Sequence, residues 1–211
     1  MGTRPSRLAV KQAEEISFSM PDISFKVITI ETMGDRDKAT PLSALEGTDF
    51  FTREIEEALL AGRIEIGLHS AKDLDGTSPE GLIVAATTTS ISPHDCLVSG
   101  GGETLKTLKP GSVIGTSSTE RKEAIRKFRQ DLAVKDIRGD IDERLKQLDR
   151  GDFSAIVVAH AALIRLGYEA RIAEIIADDI IKPHPLQGRL AIQVRRDRAD
   201  LIEFFRRIDA G

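Results

Sequence analysis

The stretch DFFTREIEEALLAGRIEIGLHSAKD (49–73) contains a helix pattern that leads directly into a strand pattern. Residues 49–63 are amphipathic at helical spacing, and Gly62 suits a C-terminal stop. Residues 64–70 alternate in polarity, which predicts a strand. One face of that strand would carry Ile64, Ile66 and Leu68. A helix followed at once by a strand is typical of α/β proteins.

Elements of the same two kinds fill the rest of the chain. Helix patterns lie at 6–16, 119–130, 140–151, 161–167 and 200–208. Strand patterns lie at 25–32, 81–89, 111–118 (a strand, then a turn), 133–139, 154–160 and 190–196. The alternation predicts α/β architecture, with mostly parallel mixed sheets flanked by helices. In the first helix we expect Ala9, Ala13 and Ile16 to share one face, with Pro5 in the first turn.

Two crossings rich in turn-forming residues divide these elements into two groups. The first, SISPHDCLVSGGGETLKTLKPG (90–111), is rich in Ser, Gly and Pro, and we interpret it as a crossing followed by an irregular segment. The second is IKPHPLQG (181–188). We therefore predict one lobe from 1–89 plus 189–211 and a second from 90–188, with a cleft between them.

The composition restricts the kind of function. The chain has 211 residues and a net charge of −4, so a preference for anions has to be local. Its single cysteine, Cys96, excludes a disulfide framework and favours a cytosolic protein. We expect Cys96 to be an inert small residue in the first crossing. The four histidines show no metal-ligand spacing, and we find no signal peptide and no segment long enough to span a membrane.

Polar motifs gather where strands end and helices begin, which is where α/β sheets bind ligands. They are GTRPS (2–6), HSAKD (69–73), GTSSTER (115–121), RGDIDER (138–144) and LQGR (186–189). Small and hydroxyl residues before a helix leave backbone N–H groups for an anion, and arginine binds carboxylates with two hydrogen bonds. Six basic residues can line one cleft and hold a polycarboxylate: Arg4, Lys72, Arg121, Arg138, Arg144 and Arg165.

Each of these motifs also has an ordinary structural explanation. GTSS can simply cap a helix, and Arg144 and Arg165 can be solvated helix residues. We expect His69 to be a hydrogen-bonded structural histidine, and Asp73 can form a loop ion pair with the lysine before it.

Seven stretches taken in order resemble the porphobilinogen deaminase (hydroxymethylbilane synthase) family. They are GTRPSRLAVKQA, MGD, FFTREIEEALLAGRIEIGLHSAKDL, IGTSSTERKEAI, IRGDIDERLKQL, AIVVAHAALIRLG and LQGRLAIQVR, and they cover nearly the whole chain. The resemblance implies two lobes like type II periplasmic binding proteins with the active site between them. It also implies a transferase of tetrapyrrole (haem) biosynthesis that joins four porphobilinogen units head to tail and releases ammonia.

The resemblance further implies roles for individual residues. Asp73 matches the catalytic aspartate, whose carboxylate would stabilise the cationic azafulvene left when ammonia leaves an aminomethylpyrrole. Phe51 matches an aromatic residue of the active-site region. The positions that match binding sites for the acetate and propionate groups of substrate and cofactor are Arg4, Ser6, Ser70, Lys72, Thr116, Ser117, Ser118, Arg121, Arg138, Arg144 and Arg165, to which we add Gly139 and Gln187 from the same motifs.

The chain departs from the family pattern at the expected cofactor attachment. The family holds a dipyrromethane cofactor through a cysteine thioether in a third, C-terminal domain. This sequence ends after the closing helix, and Cys96 does not match the anchoring position, so we expect both the third domain and the attachment cysteine to be absent. Dipyrromethane is therefore the implied cofactor, and no cofactor is the alternative. We also expect the strand ahead of GTR to be missing.

Further departures replace basic or neutral residues with acidic ones near the expected site. Glu120 beside Arg121 replaces one of two paired arginines, and Asp140, Asp142 and Glu143 follow Arg138-Gly139. In addition, Thr48-Asp49 stands in place of Lys-Gly, and Asp75 stands in place of a proline. A carboxylate there repels a carboxylated substrate. We therefore hypothesise that the fold and Asp73 are kept while ligand recognition is weakened or altered.

Three functions stay open from the sequence. The first is a deaminase-type transferase, short or divergent, with a separate chain able to supply the third domain. The second is a non-catalytic two-lobed binding protein for a small carboxylated or pyrrole ligand. The third is an effector-sensing lobe, against which the absence of a helix-turn-helix and a basic face counts. We expect a monomer that binds neither nucleic acid nor membrane.

Overall fold

The computed structural model describes residues 1–37, 40, 48–74 and 78–211. The strands in chain order are β1 Gly2–Thr3, β2 Ile28–Thr29, β3 Gly67–Ser70, β4 Leu82–Thr87, β5 Asp95–Ser99, β6 Val113–Gly115, β7 Ala133–Lys135, β8 Ala155–Ala159, β9 Glu174–Ile175 and β10 Leu190–Arg195. The helices are α1 Arg7–Ser19, α2 Met33–Arg36, α3 Arg53–Leu60, α4 Thr119–Phe128, α5 Ile141–Asp149, α6 His160–Leu166 and α7 Ala199–Phe205. Short 3₁₀ turns follow at Ala71–Asp73, Glu169–Arg171 and Arg206–Ile208.

The described chain divides into two compact units. The first comprises the described residues of 1–37, 47–91 and 186–211, and the second those of 38–46 and 92–185. Most of the second unit is therefore formed by the part of the chain between β4 and β10. Each unit has its own sheet and its own buried side chains, and each is described by itself.

The first unit is built on a five-stranded sheet in the order β2-β1-β3-β10-β4. β1 pairs in parallel with β2 and β3, whereas β10 runs antiparallel to both β3 and β4. The apolar face of α1 covers this sheet, and its Ala9, Ala13 and Ile16 are buried as expected. Gly62 follows α3 with φ +67°, a conformation that suits glycine, so its predicted role as helix stop is confirmed.

The second unit has a matching sheet in the order β7-β6-β8-β5-β9. β6 pairs in parallel with β7 and β8, and β5 runs antiparallel to β8 and β9. The predicted α/β class with mixed sheets and flanking helices is therefore confirmed. The prediction that these sheets are mostly parallel was wrong. Among the described strands, each sheet has as many antiparallel pairings as parallel ones, because β10 and β5 each run antiparallel to both of their neighbours.

The structure corrects the interpretation of 90–111 as a crossing and an irregular segment. Residues Asp95–Ser99 form β5, which lies between β8 and β9, and Cys96 is fully buried in it. The apolar run is short and is flanked by a proline and three glycines, so the turn-forming composition dominated the pattern. The two-residue β9 was also missed.

Three smaller expectations were wrong. Ile64 was expected to share one face of a strand with Ile66 and Leu68. It lies before β3 and packs with Ile55, Ala58 and Leu59 of α3, in a different cluster from Ile66 and Leu68. Pro5 precedes α1, whose N-cap is Ser6. The strand expected to be missing ahead of GTR is formed by Gly2 and Thr3 of that motif, which pair with β2 and β3.

Candidate functional site

A pocket in the first unit gathers five of the predicted site residues. Its lining includes Arg4, Ser6, Phe51, Ser70 and Asp73. Arg4 and Ser6 lie between β1 and α1, and Ser70 and Asp73 lie where β3 ends in a 3₁₀ turn. β1 and β3 are parallel neighbours, so their carboxyl ends meet at one edge of the sheet.

Arg4 is held in this pocket by Asp35, which comes from α2. The Arg4 Nη2 atom lies 2.6 Å from Asp35 Oδ1, and its Nε atom lies 3.2 Å from the same oxygen. Burial acts to raise the pKa of Asp35, but the hydrogen bond and charge of Arg4, with help from Thr32, outweigh it and hold that pKa below its usual value. Asp35 is therefore an ionised partner of Arg4.

The aromatic ring of Phe51 lies against the other side of Arg4. The guanidinium carbon is 4.3 Å from the ring centroid, a cation–π geometry. The ring approaches Gly34 so closely that a Cβ atom there would lie 2.0 Å from Phe51 Cε1. The MGD motif (33–35) thus supplies both the carboxylate for Arg4 and the space for Phe51.

Asp73 ends the 3₁₀ turn that follows β3, and its side chain is partly buried at the pocket. Lys72 lies in the same turn, and its Nζ atom donates a hydrogen bond to Gln187 Oε1 at 3.2 Å. Ser70 accepts a hydrogen bond from Gln12 of α1 at 3.1 Å. The turn is thereby tied to α1 and to the chain that enters β10.

His69 lines the same pocket and matches the expected structural histidine in part. Only 5% of it is exposed, and its Nε2 atom has no partner at hydrogen-bond distance among the described residues. Burial lowers the pKa of His69 to about 4; a side-chain hydrogen bond with Gln193 acts in the opposite direction, and the charge of Arg4 acts in the same direction as burial. His69 is therefore a neutral imidazole at neutral pH.

In the second unit, the GTSS segment joins β6 to α4. Ser118 is the N-cap of α4, and its Oγ accepts from the Arg121 backbone N–H at 3.4 Å. Ser117 Oγ donates to the Ile137 carbonyl. The hydroxyl of Thr116 is buried and has no partner among the described residues. Ser118 therefore caps a helix, which is the ordinary structural explanation of the GTSS motif. Helix capping does not explain why the Thr116 hydroxyl is buried.

Arg121 is engaged in an ion pair with a buried aspartate. Its Nε atom donates to Asp95 Oδ2 at 2.7 Å and its Nη2 atom to Oδ1 at 2.6 Å. The two side chains are only 12% and 5% exposed. Asp95 opens β5, the strand that the sequence analysis missed, so this partner could not have been expected.

Three further arginines of the predicted set also lie in the second unit. Arg144 donates from Nε to the Gly139 carbonyl at 2.8 Å, and Gly139 has φ +99°. Desolvation, followed by the charges of Arg121 and Arg138, lowers the pKa of Arg144 to about 10. Arg121 and Arg138 therefore lie close enough to Arg144 to influence its charge equilibrium. Arg165, in α6, is partly buried.

The acidic residues at which the chain departs from the family pattern stabilise local structure. Asp140 is the N-cap of α5 and forms a capping box with Glu143, with N···O distances of 2.8 and 3.0 Å. Asp142 accepts from the Tyr168 hydroxyl at 2.5 Å. Glu120 is exposed in the first turn of α4, where the helix dipole favours a negative charge. Asp49 pairs with Arg53 at 2.7 Å, and Asp75 lies outside the described residues.

Cys96 is chemically unreactive where it lies. Burial, with a smaller contribution from Asp95, raises the pKa of its thiol to about 12 against the opposing effect of Arg121. The thiol lies 3.6 Å from the Val158 carbonyl in the neighbouring strand. Cys96 is an inert small residue, as expected, although it belongs to β5 and not to a crossing.

Two side chains of the first unit were missed as site residues. Asp35 stands in the MGD motif, whose aspartate the sequence analysis did not assign. Gln12 is 4% exposed, and it lies on the buried stripe of α1 with Ala9, Ala13 and Ile16. A polar residue on an apolar stripe was a signal that could have been used.

Two classes of site are missing from the part of the chain that the structure describes. No group of three or more His, Cys, Asp or Glu side chains there is arranged to hold a metal ion. No helix in the same part has the length and apolar character needed to cross a membrane.

Comparison with known proteins gives one consistent result. Residues 1–203 match the family model described as porphobilinogen deaminase, dipyrromethane cofactor binding domain. The chain is 38% identical over 210 residues to a porphobilinogen deaminase of Chlorobaculum tepidum, covering 98% of this chain and 67% of that protein. For the Thermus thermophilus enzyme the identity is 41%, covering 92% and 64%. The chain thus spans about two thirds of the length of these relatives.

A solved structure agrees on the fold. A candidate methionine-binding lipoprotein from Bacillus subtilis superposes with a TM-score of 0.57 at 11% identity, covering 100% of this chain and 89% of that one. The two mixed α/β sheets and this likeness define the fold class of type II periplasmic binding proteins. Within that class, the family model and the relatives show that the chain belongs to the porphobilinogen deaminase family.

Proposed function

We propose that this chain acts as a transferase that condenses porphobilinogen with loss of ammonia toward hydroxymethylbilane, in tetrapyrrole (haem) biosynthesis. The observation that carries the proposal is the pocket of the first unit, which holds one carboxylate, Asp73, beside an arginine, two serines and an aromatic ring. A substrate with an aminomethylpyrrole ring and two carboxylate arms needs these groups. A cytosolic location and a monomeric state stay predictions.

Asp73 is the proposed catalytic carboxylate. When the C–N bond of the protonated aminomethyl group breaks, the electron pair leaves with ammonia, and the positive charge spreads over the pyrrole ring and its N–H. A carboxylate that accepts this N–H stabilises the charge as it forms. The α-carbon of a second pyrrole then forms the new C–C bond and loses its proton. Asp73 is partly buried, so its interaction with that charge is stronger than at a fully solvated position.

The carboxylate arms of the substrate are proposed to bind to arginines and helix starts. In the first unit, Arg4 and Ser6 stand at the start of α1, and Lys72 is placed by Gln187. In the second unit, Ser118 begins α4, and Arg138 and Arg144 flank the start of α5. Each of these places combines backbone N–H groups with a cation, which is the environment that anions prefer.

The same donors fit a dipyrromethane cofactor, whose side groups are also carboxylates. Arg4, Ser6 and Ser70 would hold it in the first unit. When bound, this group supplies the pyrrole end onto which new units are joined. Cys96 does not fit as its point of attachment, because the thiol is buried and its pKa is about 12.

Mass spectrometry of the reaction products after incubation with porphobilinogen tests the proposal. We expect condensed pyrrole products with the native chain and with Asp22→Asn, a control at an exposed carboxylate, and none with Asp73→Asn. A melting-temperature shift with porphobilinogen, but no condensed product with any variant, would favour a non-catalytic binding protein. The absence of both a shift and a product would refute both functions.

A further inference from the structure

We propose that Asp35 is a positioning residue that sets the orientation of Arg4 for substrate binding. This inference rests on the proposed function of the same pocket. It goes beyond it by assigning a role to a carboxylate that does not itself line the pocket.

The ion pair fixes one edge of the guanidinium group. The Arg4 Nε and Nη2 atoms both face Asp35, at 3.2 and 2.6 Å from its Oδ1 atom. Planar guanidinium groups bind carboxylates along one edge at a time. The edge that carries Nη1 is therefore the one presented to a substrate carboxylate.

Asp35 is itself held rigidly. Its Oδ2 atom accepts from the backbone N–H of Thr32 at 3.0 Å and from the Thr32 hydroxyl at 2.8 Å, and Thr32 is fully buried. Each oxygen of the carboxylate thus has a defined partner, and Asp35 cannot follow Arg4 if that side chain moves. The orientation is transmitted from the backbone of α2 to the pocket.

Phe51 removes the remaining freedom of Arg4. Its ring lies 4.3 Å from the guanidinium carbon, so the plane of the group is fixed as well as its edge. An arginine ordered before the ligand arrives loses less conformational entropy on binding. A merely structural ion pair would stabilise the fold without affecting the substrate.

A double-mutant cycle distinguishes these roles. Asp35→Asn keeps the size of the side chain but removes its charge. Arg4→Lys keeps the charge but removes the guanidinium group that forms two hydrogen bonds with one carboxylate. We expect Asp35→Asn to raise the KM for porphobilinogen about tenfold and to change kcat by less than about twofold, as expected when ground-state ordering is lost. If Asp35 acts through Arg4, the double variant will bind about as weakly as Arg4→Lys alone.

A matched control breaks a similar ion pair elsewhere. Asp131→Asn removes the partner of Arg129, whose Nε and Nη2 atoms each lie 2.7 Å from Asp131, and we expect KM to stay unchanged. An unchanged KM in Asp35→Asn, or additive effects with Arg4→Lys, would overturn the inference while leaving the proposed function intact. If the native chain binds porphobilinogen without converting it, the Kd for porphobilinogen is measured in place of KM. A native chain that neither binds nor converts porphobilinogen would refute both.

Discussion

Asp95 and Arg121 form a bidentate ion pair at 2.6 and 2.7 Å, with both side chains nearly inaccessible to solvent. The first unit contains the same relationship between Asp35 and Arg4. In each unit, an arginine predicted to bind a substrate carboxylate is held by an aspartate from a different segment. The arginines are thus ordered before any ligand is present, which favours binding over a flexible side chain.

Removing Asp95 should destabilise the second unit. Asp95→Ala leaves the positive charge of Arg121 buried without this partner, and breaking a buried pair costs roughly 3 kcal/mol of the free energy of unfolding. The control, Asp131→Ala, breaks the more exposed pair with Arg129, whose loss should destabilise the chain much less. Urea denaturation measures both, and equal losses would contradict the account.

Gly34→Ala should disturb the pocket by moving Phe51. The added Cβ would lie 2.0 Å from the ring, so the ring must shift away from its place over Arg4. We expect a loss of about 1–3 kcal/mol in stability and a higher Kd for porphobilinogen. Gly100→Ala is the matched control, since nothing lies within 4 Å of its added Cβ. A Gly34→Ala chain with native Kd would show that Phe51 does not order Arg4.

His69 should make stability depend on pH below neutrality. Its folded pKa of about 4 lies below the unfolded value of 6.5, so the unfolded chain binds the proton first as the pH falls. The resulting loss of stability begins near pH 6.5 and reaches on the order of 3 kcal/mol below pH 4. Denaturation between pH 4.5 and 7.5 should show a weaker slope for His69→Gln than for the native chain. Equal slopes in the two proteins would be inconsistent with a buried neutral imidazole.

Cys96 should resist alkylation in the native state. Its thiol is buried and its pKa is about 12, so almost no thiolate is present at pH 8. We expect iodoacetamide to label the chain only in denaturant. Cys96→Ala should retain the native yield of condensed pyrrole products. Rapid native labelling, or loss of that yield, would identify Cys96 as an accessible nucleophile.

The fold was predictable where the sequence pattern is local. The helix stop at Gly62 and the buried stripe of α1 depend only on neighbouring residues, and both were found. β5 was missed because a three-residue apolar run among turn-forming residues becomes a strand only through β8 and β9, which lie far along the chain.

Residues that line the pocket could be singled out from the sequence one by one, but their pairing with other residues could not, and their functional roles stay predictions. Arg4, Ser70 and Asp73 were singled out from their motifs, and the structure places all three at one pocket. Their partners Asp35 and Gln12 are brought to them by the packing of α2 and α1, which no spacing in the sequence encodes. In the second unit, the acidic residues expected to weaken ligand binding turned out to cap and brace helices, because the sequence shows a charge but not its partner.

The most direct test of the proposed function is the release of ammonia from porphobilinogen, measured with the native chain and with Asp73→Asn under identical conditions. We expect ammonia release by the native chain and a decrease of at least about a hundredfold in Asp73→Asn, the usual scale for loss of a catalytic carboxylate. Release at the native rate by Asp73→Asn would contradict the proposed function, as would a native chain that binds porphobilinogen and releases none.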